Sequence, residues 1–319
     1  MKSNKKIRIV GLVVMVVAVI FLVQRFLSFR VDFASLFTAK TMPGLVLVTL
    51  AVMATLFISS LIWVRWLSFF AKRKIAIPAT YSVYVRSNIA KYLPGNVAHY
   101  AMRQFYGTSL GIRQKDLLLS SILEIFCSAL TALILSLVLA KDVLVSFFEN
   151  SIHSKLILAI IIVVVVVIVI GAVFFAKKKG FSASDILQYF RQKEFGLSLI
   201  SVIGLTACNL AIYGTTLLIL LGSGAAAGPN SLLIVSAGIV SWFIGFITPG
   251  VPGGIGVREA VLLLMLSPVM ADDVVLYAAV VQRVAFILSD VLSWVVGKLV
   301  ERRQAKREYG KSQTIQAPR

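Results

Sequence analysis

Eight ionisable side chains stand inside or beside long apolar stretches of this chain: Arg86, Lys91, Arg103, Glu124, Arg258, Glu259, Arg283 and Asp290. A charge at membrane depth costs roughly 3 kcal/mol or more unless it is paired or hydrated, so each of these needs a partner or a ligand. Guanidinium groups carry a planar fork of donors that matches phosphate oxygens. Asn96 and Gly256 each open a short apolar segment after a Pro/Gly break. A helix beginning there aims free N–H groups and a positive dipole end at its start, which favours phosphate or carboxylate. Arg103 follows Asn96 by about two turns, and Arg258 comes directly after Gly256. Arg258, Arg103, Asn96, Gly256 and Arg86 are therefore the candidate headgroup ligands. Glu124, Glu259, Arg283 and Asp290 are candidates for balancing charge inside a cavity. The ligand implied has an anionic head and an apolar tail.

Plainer roles compete with these. Arg258 and Glu259 could brace the turn or pair with Glu124 and Arg283. Arg86, Lys91 and Arg103 could snorkel to the surface. Arg283 and Asp290, seven residues apart on one helical face, could hold the last span to its neighbours. His99 lacks a partner motif, which makes it a poor catalytic candidate.

The elements that must position these residues are membrane helices. The 319-residue chain is 59% hydrophobic and 14% charged, with a mean hydropathy of +0.94. No ordinary water-soluble domain has that balance. A spanning helix needs about 20 mostly apolar residues. Six segments qualify, at 8–24, 44–64, 117–139, 156–176, 197–221 and 274–297. The net charge of +19 is a topology signal rather than a nucleic-acid signal, because the basic residues crowd into alternate loops. Residues 65–115 hold nine Lys and Arg, 177–194 five and the tail from Lys298 seven, while 25–43 hold three and 140–155 two. Both termini are expected on the cytoplasmic side of the cell membrane.

Two stretches remain, 80–112 and 231–267. The first is broken by Pro94 and Gly95, the second by Pro249, Gly250, Pro252, Gly253 and Gly254. Each half is too short to cross alone, and proline with glycine opposes a continuous helix. Each stretch reads as a re-entrant hairpin whose tip faces the protein interior, where broken backbone can be satisfied. Residues 44–139 and 197–297 then form two repeats in opposite orientations, the pattern of an inverted-repeat transporter with a midplane site. The fold class expected is an all-α integral membrane protein with six spans and two oppositely oriented re-entrant hairpins. A domain over 1–297 would be followed by a basic cytoplasmic tail at 298–319.

Polar stripes mark the cavity side of three spans. They are Asp116, Ser120, Glu124, Ser128 and Thr131 on one, Thr206, Asn209, Tyr213 and Thr216 on another, and Gln282, Ser289 and Ser293 on the last. The span at 156–176 is apolar all round and should face lipid. Residues 181–196 suggest an interfacial amphipathic helix, and the tail a solvated basic segment attracted to anionic lipid. Cys127 and Cys208 are too isolated for a disulfide framework or a thiolate metal site. No metal or cofactor is expected.

At Lys91-Tyr92-Leu93-Pro94-Gly95-Asn96, within Asn88 to Arg103, and at Pro249 to Ala260, the sequence resembles the flippase-like membrane domain of lysylphosphatidylglycerol synthases. The second motif, Pro252-Gly253-Gly254-Ile255-Gly256-Val257-Arg258-Glu259-Ala260, is the more specific. The resemblance covers nearly the whole chain. It implies a prokaryotic membrane protein that moves an aminoacylated phospholipid or a polyprenyl-linked sugar between leaflets. The chain stops soon after its last span, so the aminoacyl-transferase domain of the two-domain relatives is expected to be missing, and lysyl-lipid synthesis does not transfer.

Three functions stay open. A transporter-like translocator would bind a lipid phosphate in the cavity while the tail stays in the bilayer. An integral-membrane enzyme would use Glu124, Glu259 or Asp290 as a general base. A non-catalytic partner would recruit or position an enzyme of cell-envelope biosynthesis. The absence of a metal cluster, activated nucleophile or nucleotide motif weighs against the enzyme.

Overall fold

A computed structural model describes residues 41–93, 97–139, 191–222, 225, 228–248 and 252–316. The spans expected at 8–24 and 156–176, most of the segment 181–196, and the break residues Pro94, Gly95, Asn96, Pro249 and Gly250 lie outside the described residues. Among the described residues the chain is helical throughout, with no strand.

Eight α-helices follow one another: α1 (Met42–Phe70), α2 (Ile77–Asn88), α3 (Ala98–Gly107), α4 (Gln114–Leu139), α5 (Lys193–Leu221), α6 (Ser231–Ile247), α7 (Val257–Leu266) and α8 (Asp272–Gln316). Four of them, α1, α4, α5 and α8, are long and apolar enough to cross a membrane. They coincide with the spans expected at 44–64, 117–139, 197–221 and 274–297. Helices α1 and α5, of 29 residues each, extend about 44 Å at 1.5 Å per residue, more than a hydrocarbon core of about 30 Å. Helix α8 does not stop at the end of its apolar run but continues past Lys298 to Gln316. Its extension, Glu301-Arg302-Arg303-Gln304-Ala305-Lys306, consists of strong helix formers and is mostly exposed.

The two stretches left over from the spans are pairs of short helices. Helix α2 has Pro78 in its first turn, where the missing N–H costs nothing. It tightens into a 3-10 turn over Ile89–Tyr92 and ends as Leu93, the residue before Pro94, becomes extended at φ −71° and ψ 149°. In the second pair Gly253, Gly254 and Gly256 all take positive φ, at 58°, 72° and 86°. Side chains rarely adopt that region, so the chain can turn there only because it carries glycine. Helix α7 then starts with the Glu259 carboxylate accepting the Gly256 N–H at 2.6 Å.

The packing of the two halves, α1–α4 and α5–α8, is matched. Helices α1 and α5 lie against each other, α2 packs on α8, and α6 packs on α4. Likewise α1 contacts α8 as α5 contacts α4. The crossing of α5 and α6 uses glycine: a Cβ on Gly238 of α6 would lie 3.0 Å from the Gly214 Cα of α5, and one on Gly214 would lie 2.7 Å from the Val235 carbonyl oxygen. Gly297 admits the Val85 side chain of α2 to α8 in the same way. Small residues at such crossings let backbones approach where water does not drive association. Leu47, Leu50, Leu197, Ile200, Leu292 and Val295 are exposed on the long helices, as a lipid-facing surface requires.

Candidate functional site

Both helix breaks and the polar faces of the long helices converge on one cavity of about 170 Å³. Glu124 and Ser128 reach it from α4, Thr206, Asn209 and Tyr213 from α5, and Arg283 from α8. The first short pair supplies Asn88, Lys91, Tyr92, His99, Tyr100 and Arg103, and the second Gly253 and Arg258.

Three carboxylates stand here, and each is taken. Glu124 accepts from Arg103 Nη1 at 2.5 Å and from the Tyr84 hydroxyl at 2.9 Å. The Arg103 guanidinium, 1% exposed, is held 4.0 Å over the Tyr84 ring and 5.2 Å from the rings of Trp63 and Tyr100. Aromatic faces thus replace part of the hydration it lost. Asp290 accepts from Asn88 at 2.7 Å, from Lys91 at 2.7 Å, and from the Tyr92 hydroxyl. Glu259 pairs with Arg283 at 2.8 Å, and Arg283 also donates to the Gly253 carbonyl at 2.8 Å.

Arg258 is the exception. Its Nη1 donates to the Tyr213 hydroxyl at 2.7 Å, its Nε has no partner, and no carboxylate among the described residues lies within ion-pair distance. A Cβ on Gly245 of α6 would sit 2.6 Å from the Arg258 Cγ, and one on Gly254 would sit 2.7 Å from its Nε. The side chain therefore threads between two glycines to reach the cavity. Among the described residues the four cations that line the cavity, Lys91, Arg103, Arg258 and Arg283, are met by three carboxylates, Glu124 in its wall and Asp290 and Glu259 behind it, which leaves one positive charge uncompensated.

The structure brings together most of the sequence candidates but not all. Arg258, Arg103, Glu124, Arg283 and Gly253 line the cavity, and Glu259 and Asp290 hold cations that do. The expected pairing of Glu259 with Arg283 is present, whereas Glu124 goes to Arg103 and not to Arg258. Arg86 is not at the cavity: it pairs with Glu301 at 2.9 Å, lies 4.5 Å from the Tyr106 ring, and keeps its head near the protein surface. Gly256 is exposed, and its N–H is occupied by Glu259. A phosphate at this helix start would have to displace that carboxylate. Pro252 and Gly254 shape the second break. Of the polar stripes, Ser120 accepts from the Trp63 indole at 3.0 Å, and Gln282 donates to Thr216 at 2.6 Å. Those residues fasten helices rather than face the cavity. Cys127 is buried in packing and Cys208 is exposed.

Several lining residues carry no role in the sequence reading. Asn88 and Tyr92 stand three residues before and one after Lys91, an ionisable candidate, and the three- and four-residue spacing from Asn88 places all three on one face, a readable signal for a common partner. Thr55 and Ser59 on α1, four apart in an apolar run, were another. Trp242 and Phe246, stacked with ring centroids 4.9 Å apart, gave none. Among the described residues no group of three or more His, Cys, Asp or Glu could hold a metal ion.

The fold and site define a polytopic helical membrane protein with a charged cavity between its helices. The model of the lysylphosphatidylglycerol synthase TM region matches residues 8–292, and the chain belongs to that family. A search of curated proteins found no match.

Proposed function

We propose that the protein moves an anionic-headgroup lipid, such as a polyprenyl-phosphate-linked sugar or a phospholipid, across the cytoplasmic membrane of a prokaryotic cell. The observation that carries this reading is Arg258, a cation delivered through two glycines into a cavity and without a carboxylate partner among the described residues. An uncompensated charge in low dielectric is costly, and a lipid phosphate supplies the missing partner. In this reading the two short helix pairs are re-entrant hairpins of an inverted repeat, both termini face the cytoplasm, and the hairpins open the cavity to each leaflet in turn. The matched packing of the two halves supports it. So does the engagement of Glu124, Asp290 and Glu259, the carboxylates at this site among the described residues, by cations, which suits a binding site better than a general base.

The test is leaflet crossing of a labelled polyprenyl-phosphate sugar and a labelled phosphatidylglycerol in liposomes, with and without the protein and with Arg258→Ala. Crossing that needs both the protein and Arg258 is the expected result. Folded protein that moves neither lipid overturns the proposal and turns attention to an enzyme or a partner role.

A further inference from the structure

A second polar region of the cavity runs along α5 and reaches the Glu124–Arg103 pair through Ser59 and Tyr84. Along α5, Tyr213 meets Arg258, Asn209 lies one turn away and Thr206 about another turn on, so the polar row spans about 10 Å at 1.5 Å per residue. Thr206 is 2% exposed and its hydroxyl has no partner among the described residues. The Asn209 side-chain carbonyl is likewise buried without a partner, while its amide donates to Ser59 at 3.0 Å. Buried polar groups are nearly always hydrogen-bonded, and two unsatisfied ones side by side on a cavity wall point to a ligand or water between them. What they offer is one hydroxyl and one amide oxygen, which fit the hydroxyls of a polyol or a sugar.

The opposite end is cationic. Lys91 lies within electrostatic reach of Arg258 and Arg283, and the Tyr92 ring lies near Gly253 of the second break. A head group carrying an ammonium would add positive charge to a cavity whose described residues already hold more cations than carboxylates, and it would find Glu124, Asp290 and Glu259 engaged.

We infer that the site selects lipids whose phosphate is followed by an uncharged, hydroxyl-bearing head group, and that it discriminates against head groups carrying an amine. The phosphate is read at Arg258 and Lys91, and the hydroxyls at Thr206 and Asn209. This rests on the proposed function only for the binding of a lipid phosphate, and it separates this protein from handling the lysylated lipid that appears in its family's name.

The experiment measures binding to the full-length protein in lipid nanodiscs by native mass spectrometry. Five probes are compared: phosphatidylglycerol, polyprenyl-phosphate glucose, bare polyprenyl phosphate, phosphatidylethanolamine and lysylphosphatidylglycerol. Phosphatidylglycerol, polyprenyl-phosphate glucose or both should bind at least tenfold more tightly than either amine-bearing lipid, and which of them does so identifies a polyol or a glycosyl head. Thr206→Val combined with Asn209→Leu should erase the advantage of a hydroxyl-bearing lipid over bare polyprenyl phosphate, while Thr206→Ser should keep it. Equal binding of the amine-bearing lipids, an unchanged preference in the folded double variant, or no binding of any probe overturns the inference. Preference in binding without leaflet crossing would overturn the translocator and leave the selectivity standing. Crossing of all lipids alike would do the reverse.

Discussion

Arg283 and Asp290 stand seven residues apart on α8, and each fastens one of the two helix breaks. Asp290 gathers Asn88, Lys91 and Tyr92 of the first, and Arg283 holds Gly253 and Glu259 of the second. Two turns of one helix thus fix the relative position of two segments more than 150 residues apart in sequence. The opposite signs of the two charges suit their tasks. A carboxylate can accept from three donors at once, and a guanidinium can donate to a carbonyl and a carboxylate together.

Removing one partner from such a cluster leaves a buried charge alone. Asp290→Leu is expected to destabilise the protein by about 3 kcal/mol or more, read as a lowered thermal midpoint in detergent. Lys91→Met added to it should recover part of the loss, since an apolar pair of similar volume is often tolerated. No recovery would show that Asn88 and Tyr92, not the ion pair, dominate.

Glu301→Gln removes the partner of Arg86 at an exposed site, where the Glu301 side chain is 51% accessible. Exposed pairs contribute about 0 to 1 kcal/mol, so the thermal midpoint should barely move. A loss as large as that of Asp290→Leu would mean that the α2 to α8 contact depends on this outer pair.

Arg258 holds no ion pair to lose. Arg258→Ala is expected to change stability little while abolishing lipid crossing. Removing a buried charge that holds no ion pair offsets the loss of its charged hydrogen bond to Tyr213, worth about 1.5 to 3 kcal/mol. A functional site that is electrostatically unsatisfied often trades stability for activity in this way. Strong destabilisation by the substitution would assign Arg258 a structural role.

Two glycine substitutions should separate packing from function. In Gly214→Ala the new methyl meets a backbone carbonyl at 2.7 Å, which cannot move without shifting α6, so stability should fall by about 1 to 3 kcal/mol. In Gly245→Ala it meets Arg258 at Cγ, 2.6 Å away, and Nε, 2.7 Å away, so the Arg258 side chain must leave its path between the glycines while no backbone atom is struck. Expression and melting should stay near normal, and transport should drop toward that of Arg258→Ala. Identical behaviour of the two variants in both assays would contradict the assignment.

Much of the architecture was legible in the residues. Apolar runs of about 20 residues mark the spans because the bilayer sets their length, and four of them appear as the helices α1, α4, α5 and α8. Pro94 and the Gly253 to Gly256 run announced the breaks, since proline and positive-φ glycine act on their own backbone without tertiary help. The presence of costly charges inside apolar sequence named the cavity residues Arg103, Glu124, Arg258 and Arg283 for the same local reason.

Partner choice was decided only by the tertiary structure. Arg86 and Arg103 are the same residue type in neighbouring short helices, yet one reaches Glu301 at the periphery and the other is enclosed by Trp63, Tyr84, Tyr100 and Glu124. Sequence spacing sets which face of a helix a side chain occupies, but not which helix lies opposite. Arg258 differs from Arg283 only because α8 offers Glu259 a guanidinium and α5 offers Arg258 a phenol. The surplus charge that motivates the proposed function is thus a property of how eight helices pack, and no segment of the chain carries it alone.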